Sequence, residues 1–220
     1  MWYHNGPYPG KAEQPINKYN LNAMKRMFTY FEKYLALEDE LKELLQHFGR
    51  KRSYRKGDFY KQEDEPVEKW CFVLEGLVSK EHINSADQLV IERICEPGAF
   101  FTGTKHVFSK SNEPIAIRFL KDTTLFEIRN QYFQDMVETF PGLKSVYHIL
   151  TQHKLNHAVR HQHTIHALRA EERLHDLYLY RPGLIKLLTV EQKKAFLGIA
   201  NNTAYYRAKY YLEKKIKKSE

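Results

Sequence analysis

The residues best equipped for chemistry gather near the C-terminus. Asn201, Asn202, Thr203, Tyr205, Tyr206, Arg207 and Lys209 place amide, hydroxyl and cationic groups within nine positions. Asparagine can make two hydrogen bonds to an adenine edge and arginine two to a guanine edge, while tyrosine, threonine and lysine suit phosphate oxygens. The run Lys214-Lys215-Ile216-Lys217-Lys218 adds a phosphate-contacting tail or a solvated charge run. His153, His157 and His161 are spaced four apart, which would set three imidazoles on one helix face. Without a carboxylate or cysteine among them they read as polar surface rather than a metal site. Hydrolytic and phosphate-loop motifs (Gly-x-Ser-x-Gly, a Walker loop, His-Glu-x-x-His) are absent, and between residues 50 and 128 the histidines are only His82 and His106, too few for a cupin metal centre. An enzyme is therefore not expected, and neither a metal nor a cofactor is implied.

Charge supports a polyanion partner. The chain carries a formal +8 over 220 residues, and from Ile185 onward nine Lys or Arg face three Glu. The excess thus falls on the segment holding the candidate base-reading residues. The apolar fraction, 42%, predicts a packed core rather than disorder. No apolar run approaches a membrane span and the first ten residues lack a secretory pattern, so no membrane partner and a cytoplasmic location are expected. Cys71 and Cys95 lie in apolar runs and are expected in the core.

The elements that must position these residues can be read from periodicity. Met1 to Asn20 reads as an arm or loop, and Leu21 to Phe48 carries a helical apolar stripe. Between Arg50 and Ile128 short apolar runs alternate with turns such as Lys56-Gly57-Asp58 and Pro97-Gly98, and Trp70-Cys71-Phe72-Val73-Leu74 reads as a buried strand. That pattern predicts an all-β roll or barrel. A short helix follows over residues 132–140, then a long one over Leu143–Leu168, free of Pro and Gly. Its approximate heptad runs through Leu143, Val146, Leu150, His157, Thr164 and Leu168, which predicts a homodimer seam. In a parallel pair His157 would lie near its own copy, so acid would weaken pairing. Further on, Ala170–Tyr180 is amphipathic, Arg181-Pro182-Gly183 breaks it, and Thr189-Val190-Glu191-Gln192 has the form of a capping box. Gly198 ends that helix, and Asn201 or Asn202 caps a last helix reaching about Lys217.

In this order the pieces resemble the cyclic-AMP receptor protein and fumarate–nitrate regulator (Crp/Fnr) family over roughly Leu35 to Lys209. Phe72-Val73-Leu74-Glu75-Gly76-Leu77-Val78, Glu96-Pro97-Gly98-Ala99-Phe100-Phe101 and Arg118 through Ile128 are similar to its roll strands and turns. Ala170-Glu171-Glu172-Arg173-Leu174, Arg181-Pro182 and Leu197-Gly198-Ile199 are similar to the segments before its recognition helix. The resemblance implies an α+β chain: a helix and cyclic-nucleotide-type β-roll over 1–142, a dimer helix over 143–168 and a helix-turn-helix over 169–220. It implies a DNA-binding transcription regulator with double-stranded DNA, a second copy and RNA polymerase as partners. An effector pocket would fall on Phe100, Phe101, Thr102, Gly103, Thr104, Lys105 and Arg118, for an unknown small molecule or none.

The departures point away from cyclic AMP. The family's ribose-binding Glu falls on Gly103, and its phosphate-binding Arg falls near Glu113, a carboxylate that would repel a cyclic phosphate. In the helix-turn-helix, Lys194 stands where a small residue lets the helices cross, and Tyr206 replaces a base-reading Arg, with Arg207 next to it. A degenerate member acting through protein contacts without reading DNA is the alternative.

Overall fold

The computed structural model describes residues 18–218; the expected arm, Met1 to Asn20, lies outside the described residues as far as position 17, and its last three residues belong to a helix instead. The N-terminal stripe forms two helices rather than one, α1 (Lys18–Phe31) and α2 (Asp39–Phe48). The stripe itself shows why: Met24, Met27, Phe28 and Phe31 are buried, whereas Leu35 is exposed and Leu37 buried. A single continuous helix would not turn Leu37, Leu41 and Leu45 to the same core.

The expected roll is present, as eight antiparallel strands. They are β1 (Arg50–Tyr54), β2 (Phe59–Lys61), β3 (Lys69–Glu75), β4 (Val78–Ile83), β5 (Leu89–Cys95), β6 (Phe100–Thr102), β7 (Ala116–Phe119) and β8 (Thr123–Arg129). They pair as two four-stranded sheets, β1-β8-β3-β6 and β2-β7-β4-β5. Strand β3 explains the layering. Cys71 and Val73 face the inter-sheet core with Val78, Cys95, Phe101, Ile117, Phe119 and Leu125. Trp70, Phe72 and Leu74 face the opposite way, into a second core built with the helices. Alternation along a strand buried on both faces yields the continuous apolar run seen in the sequence. Trp70 stacks on Phe133 at 4.1 Å between ring centroids; burying such a side chain contributes roughly 1.5–3 kcal/mol.

Helices α3 (Asn130–Thr139) and α4 (Pro141–Ala167) close that helical core. Leu143, Val146, Leu150 and Thr164 are buried within the chain itself, so the heptad does not mark a free seam. A heptad cannot distinguish packing on the chain's own domains from packing on a second copy, and here the first wins. The outward apolar positions of α4 are Leu155, 49% exposed, and Val159, 69% exposed.

The C-terminal segment folds as α5 (Ala170–Tyr180), α6 (Pro182–Leu187), α7 (Val190–Leu197) and α8 (Asn202–Ile216). Helix α6 was not expected after the Arg181-Pro182-Gly183 break; Pro182 sits in its first turn, where a missing N–H costs nothing. These helices pack on the roll through Leu174, Leu184, Phe196 and Leu197 against Leu77, Ile91, Ile94 and Leu120. No helix among the described residues is long and apolar enough to cross a membrane.

Candidate nucleic-acid interface and effector cassette

Helices α7 and α8 are set by the predicted signals. The Thr189 hydroxyl accepts from the Gln192 N–H at 3.2 Å, and the Gln192 side chain accepts from the Thr189 N–H at 2.9 Å. Gly198 adopts the left-handed conformation, φ 61° and ψ 36°, ending α7. The Asn201 carboxamide oxygen accepts from the Ala204 N–H at 2.9 Å, capping α8.

Arg173, which the sequence reading did not single out as functional, clamps this turn. Its Nη1 donates to the carbonyls of Leu197 and Gly198, both at 3.0 Å, and its Nε donates to the Leu168 carbonyl at 3.0 Å. One guanidinium thereby ties the helix-turn-helix corner to the end of α4. The only signal for it was its place in the Ala170–Leu174 match.

Helix α8 presents Asn202, Thr203, Tyr206, Arg207 and Lys209 on its exposed face, with Asn201 exposed at its cap. Tyr205 departs from the expected contact set: it is 5% exposed and packs in the core with Ala208 and Leu212. Ala208 is the third residue after it and Leu212 the seventh, which puts all three on the inner face. Lys194 does not prevent the helices from crossing. Its ammonium reaches from α7 to the Asn202 carboxamide oxygen at 2.8 Å and to Glu191 at 2.9 Å. Arg207 lies 3.7 Å from Glu171 and remains largely exposed.

The expected effector residues differ in exposure and in partners. Phe101, Thr102 and Thr104 are buried in the roll, and Lys105 is exposed. The Thr104 hydroxyl donates to the His106 carbonyl at 2.9 Å and accepts from the Asn130 amide at 3.0 Å. Gly103 backs onto Val67: a Cβ there would stand 2.3 Å from the Val67 carbonyl oxygen. Arg118 is already neutralised, 2.8 Å from the buried Glu81 carboxylate and stacked over Phe59. Glu113 is held by Lys80, which is itself buried. Beneath it the fully buried Lys61 donates to the Glu113 carbonyl at 2.6 Å, the Asn112 side-chain oxygen at 3.0 Å and the Glu63 carbonyl at 3.2 Å. Burial holds the Lys61 ammonium below its ordinary pKa. An internal ion pair thus stands where a cyclic phosphate would need a fixed, uncompensated cation. The sequence reading found Glu113 but missed Lys61 and Lys80, since a lysine in an alternating strand reads as solvent-facing.

Residues 51–140 match the cyclic nucleotide-binding domain family. No curated protein matches the chain in sequence. Among solved structures, FixK2 from Bradyrhizobium japonicum is similar at 18% identity and a TM-score of 0.64, covering 78% of this chain and 86% of that one. A CooA mutant from Carboxydothermus hydrogenoformans matches at 17% identity and TM-score 0.63, covering 86% and 84%. A Eubacterium rectale protein assigned to the Crp/Fnr transcriptional regulators matches at 13% identity and TM-score 0.64, covering 85% and 88%. At these identities the likeness is one of fold.

Proposed function

We propose that this chain is a sequence-specific regulator of transcription, a reading supported by the match of residues 51–140 to the cyclic nucleotide-binding domain family and by a fold shared with Crp/Fnr transcription regulators. It binds double-stranded DNA through α8, pairs with a second copy, works in the cytoplasm and does not respond to cyclic AMP. The observation that carries this reading is a capped helix, α8, packed on α5 after a turn fixed by Gly198 and Arg173, with Asn202, Thr203, Tyr206, Arg207 and Lys209 on its open face. Such a helix fits a major groove, with its first residues reaching base edges. Pairing supplies the two half-site contacts such a reader needs, and Leu155 and Val159 are the apolar residues available for it on α4. A domain division near 142 and 168 and a contact with RNA polymerase complete the proposal.

The second reading, a regulator working through protein contacts alone, is favoured by the bond that occupies the Asn202 carboxamide oxygen. Fluorescence anisotropy with genomic fragments separates the two. Saturable binding to some fragments over random DNA supports the regulator; uniform absence of binding supports the protein-contact reading.

A further inference from the structure

Between α4, the β5–β6 segment and the start of α6 lies a cleft of about 180 Å³, lined by Arg93, Phe100, His153, Lys154, His157 and Arg181 among others. Two of its cations form no ion pair among the described residues. The Lys154 ammonium makes no hydrogen bond or ion pair among the described residues. Arg93 donates from Nη2 to the Phe100 carbonyl at 3.0 Å, while its Nη1 is buried with no partner. Both converge on one ring: Lys154 Nζ lies 5.8 Å and the Arg93 guanidinium carbon 6.0 Å from the Phe100 centroid. Of the carboxylates nearby, Glu96 is paired with Arg181 and Glu113 with Lys80, while Glu92 at the rim lies 3.1 Å from the His82 Nδ1.

Two like charges gathered in a half-buried site with unused donors are unfavourable unless something negative completes them. The cost is visible at Lys154, whose pKa is lowered to about 8 by burial first and then by Lys80 and Arg93. The ring beneath them offers only its weak negative face.

We propose that this cleft binds a small oxyanion, a phosphate monoester or a short dicarboxylate, held by the Arg93 guanidinium and by the Lys154 ammonium. Arginine offers a planar fork for two oxygens and lysine a point charge, so a multi-oxygen anion satisfies both. The volume corresponds to roughly six waters at about 30 Å³ each, room for a small anion. The site uses side chains of β5 and α4, not the Gly103 and Glu113 positions, which the Lys80 ion pair and Val67 fill. Arg181 and Phe196 line the same cleft, so its occupant would touch both the roll and the helix-turn-helix.

This goes beyond the proposed function, which assigns the roll no ligand. Binding is measured without DNA, so failure here leaves DNA reading intact and the reverse also holds. Calorimetry and thermal melting of the full chain are run with inorganic phosphate and with succinate, at ionic strength matched by sodium chloride. Saturable binding of at least one probe is expected, weakened at least about tenfold by Lys154→Gln and by Arg93→Gln. Lys154→Gln removes an uncompensated charge, so without ligand it should melt at or above the unsubstituted chain, and the probe should raise only the latter. Phosphate alone binding would assign a phosphate monoester, and succinate alone a dicarboxylate. No saturable binding of either probe up to about 10 mM, or binding unchanged in Lys154→Gln, would overturn the assignment.

Discussion

Arg181 and Glu96 join the helix-turn-helix to the roll: Arg181 Nε donates to Glu96 Oε2 at 2.9 Å, and Nη2 donates to the Ile94 carbonyl at 3.2 Å. The pair sits beside the apolar seam of Ile91, Ile94, Phe196 and Leu197, so polar and apolar contacts fix the same docking. Replacing Arg181 by Ala leaves Glu96 and the Ile94 carbonyl short of a donor at a part-buried seam. A loss of about 1–3 kcal/mol is expected in denaturant unfolding. Hydrogen exchange should quicken along β5, while β1 and β8, on the other sheet, stay protected. Equal quickening in both sheets would mean a global rather than a local loosening.

The cassette makes a separate prediction. Titration calorimetry with cyclic AMP or cyclic GMP should show no micromolar binding, because Glu113 is fixed by Lys80 and Arg118 is held by Glu81. Restoring the missing carboxylate should not rescue binding. Gly103→Glu drives a Cβ into the Val67 carbonyl, so it should destabilise the roll by about 1–3 kcal/mol instead. Tight binding by the unsubstituted chain would show that the Lys80–Glu113 pair opens for ligand.

Punctuation made the fold legible. The Thr189–Gln192 box, Gly198 and Asn201 were each read from type and spacing, and each does the expected work, because capping is local. Long-range placement was not legible. Leu150 belongs to the heptad read from the sequence, yet it is buried under the chain's own domains, which spacing alone does not distinguish from a second copy, while Leu155, off that heptad, faces out. Tyr205 and Tyr206 are adjacent identical residues, and only helix phase sends one to the core. Lys61 and Lys154 escaped notice because burial of a lysine depends on which distant strand or helix covers it.

DNA binding should be steeply salt-dependent, since each neutralised phosphate releases counterions. Arg207→Ala should cost about 1–3 kcal/mol on a preferred site and less on random DNA if Arg207 reads a base. Tyr206→Ala should weaken binding with the melting curve unchanged, because its ring is 59% exposed. Tyr205→Ala should instead lower the melting temperature, since it removes a core ring. A Tyr205→Ala chain as stable as the unsubstituted one would contradict the burial assigned to it.

His161 gives a pH signature. Its ring stacks on Phe196 with centroids 4.2 Å apart and planes 8° from parallel. Burial first, then the Arg181 charge, pushes its pKa from 6.5 down to about 4. Between those values the unfolded chain binds a proton that the folded one refuses. The stabilisation is therefore complete above pH 6.5 and is lost as pH falls toward 4, on the order of 3 kcal/mol in all. Carboxylates titrate in the same window, so the readout is a difference. His161→Phe should show a shallower loss of stability from pH 6.5 to 4.5 than the unsubstituted chain, and parallel slopes would remove His161 as a cause.

Pairing along α4 should depend on the outward residues and not on the heptad read from the sequence. Leu155 and Val159 are four apart, so they share one face of the helix. His157 lies midway between them in sequence and lines the cleft beside Arg93 and Arg181, on the opposite side of the helix. Acid weakening through a His157 pair is therefore not expected, and His157→Asn should leave the dimer constant and its pH dependence unchanged. Val159→Asp and Leu155→Asp should each shift sedimentation toward monomer with helicity intact, because a charge on an apolar seam must be desolvated on pairing. Loss of pairing should also lower affinity for a two-half-site fragment more than for a single half-site. Leu150→Asp is the contrasting case: its side chain is 3% exposed inside the chain, so that variant should lose folded structure rather than merely separate. Unaltered sedimentation of Val159→Asp at micromolar concentration would move the dimer seam off α4.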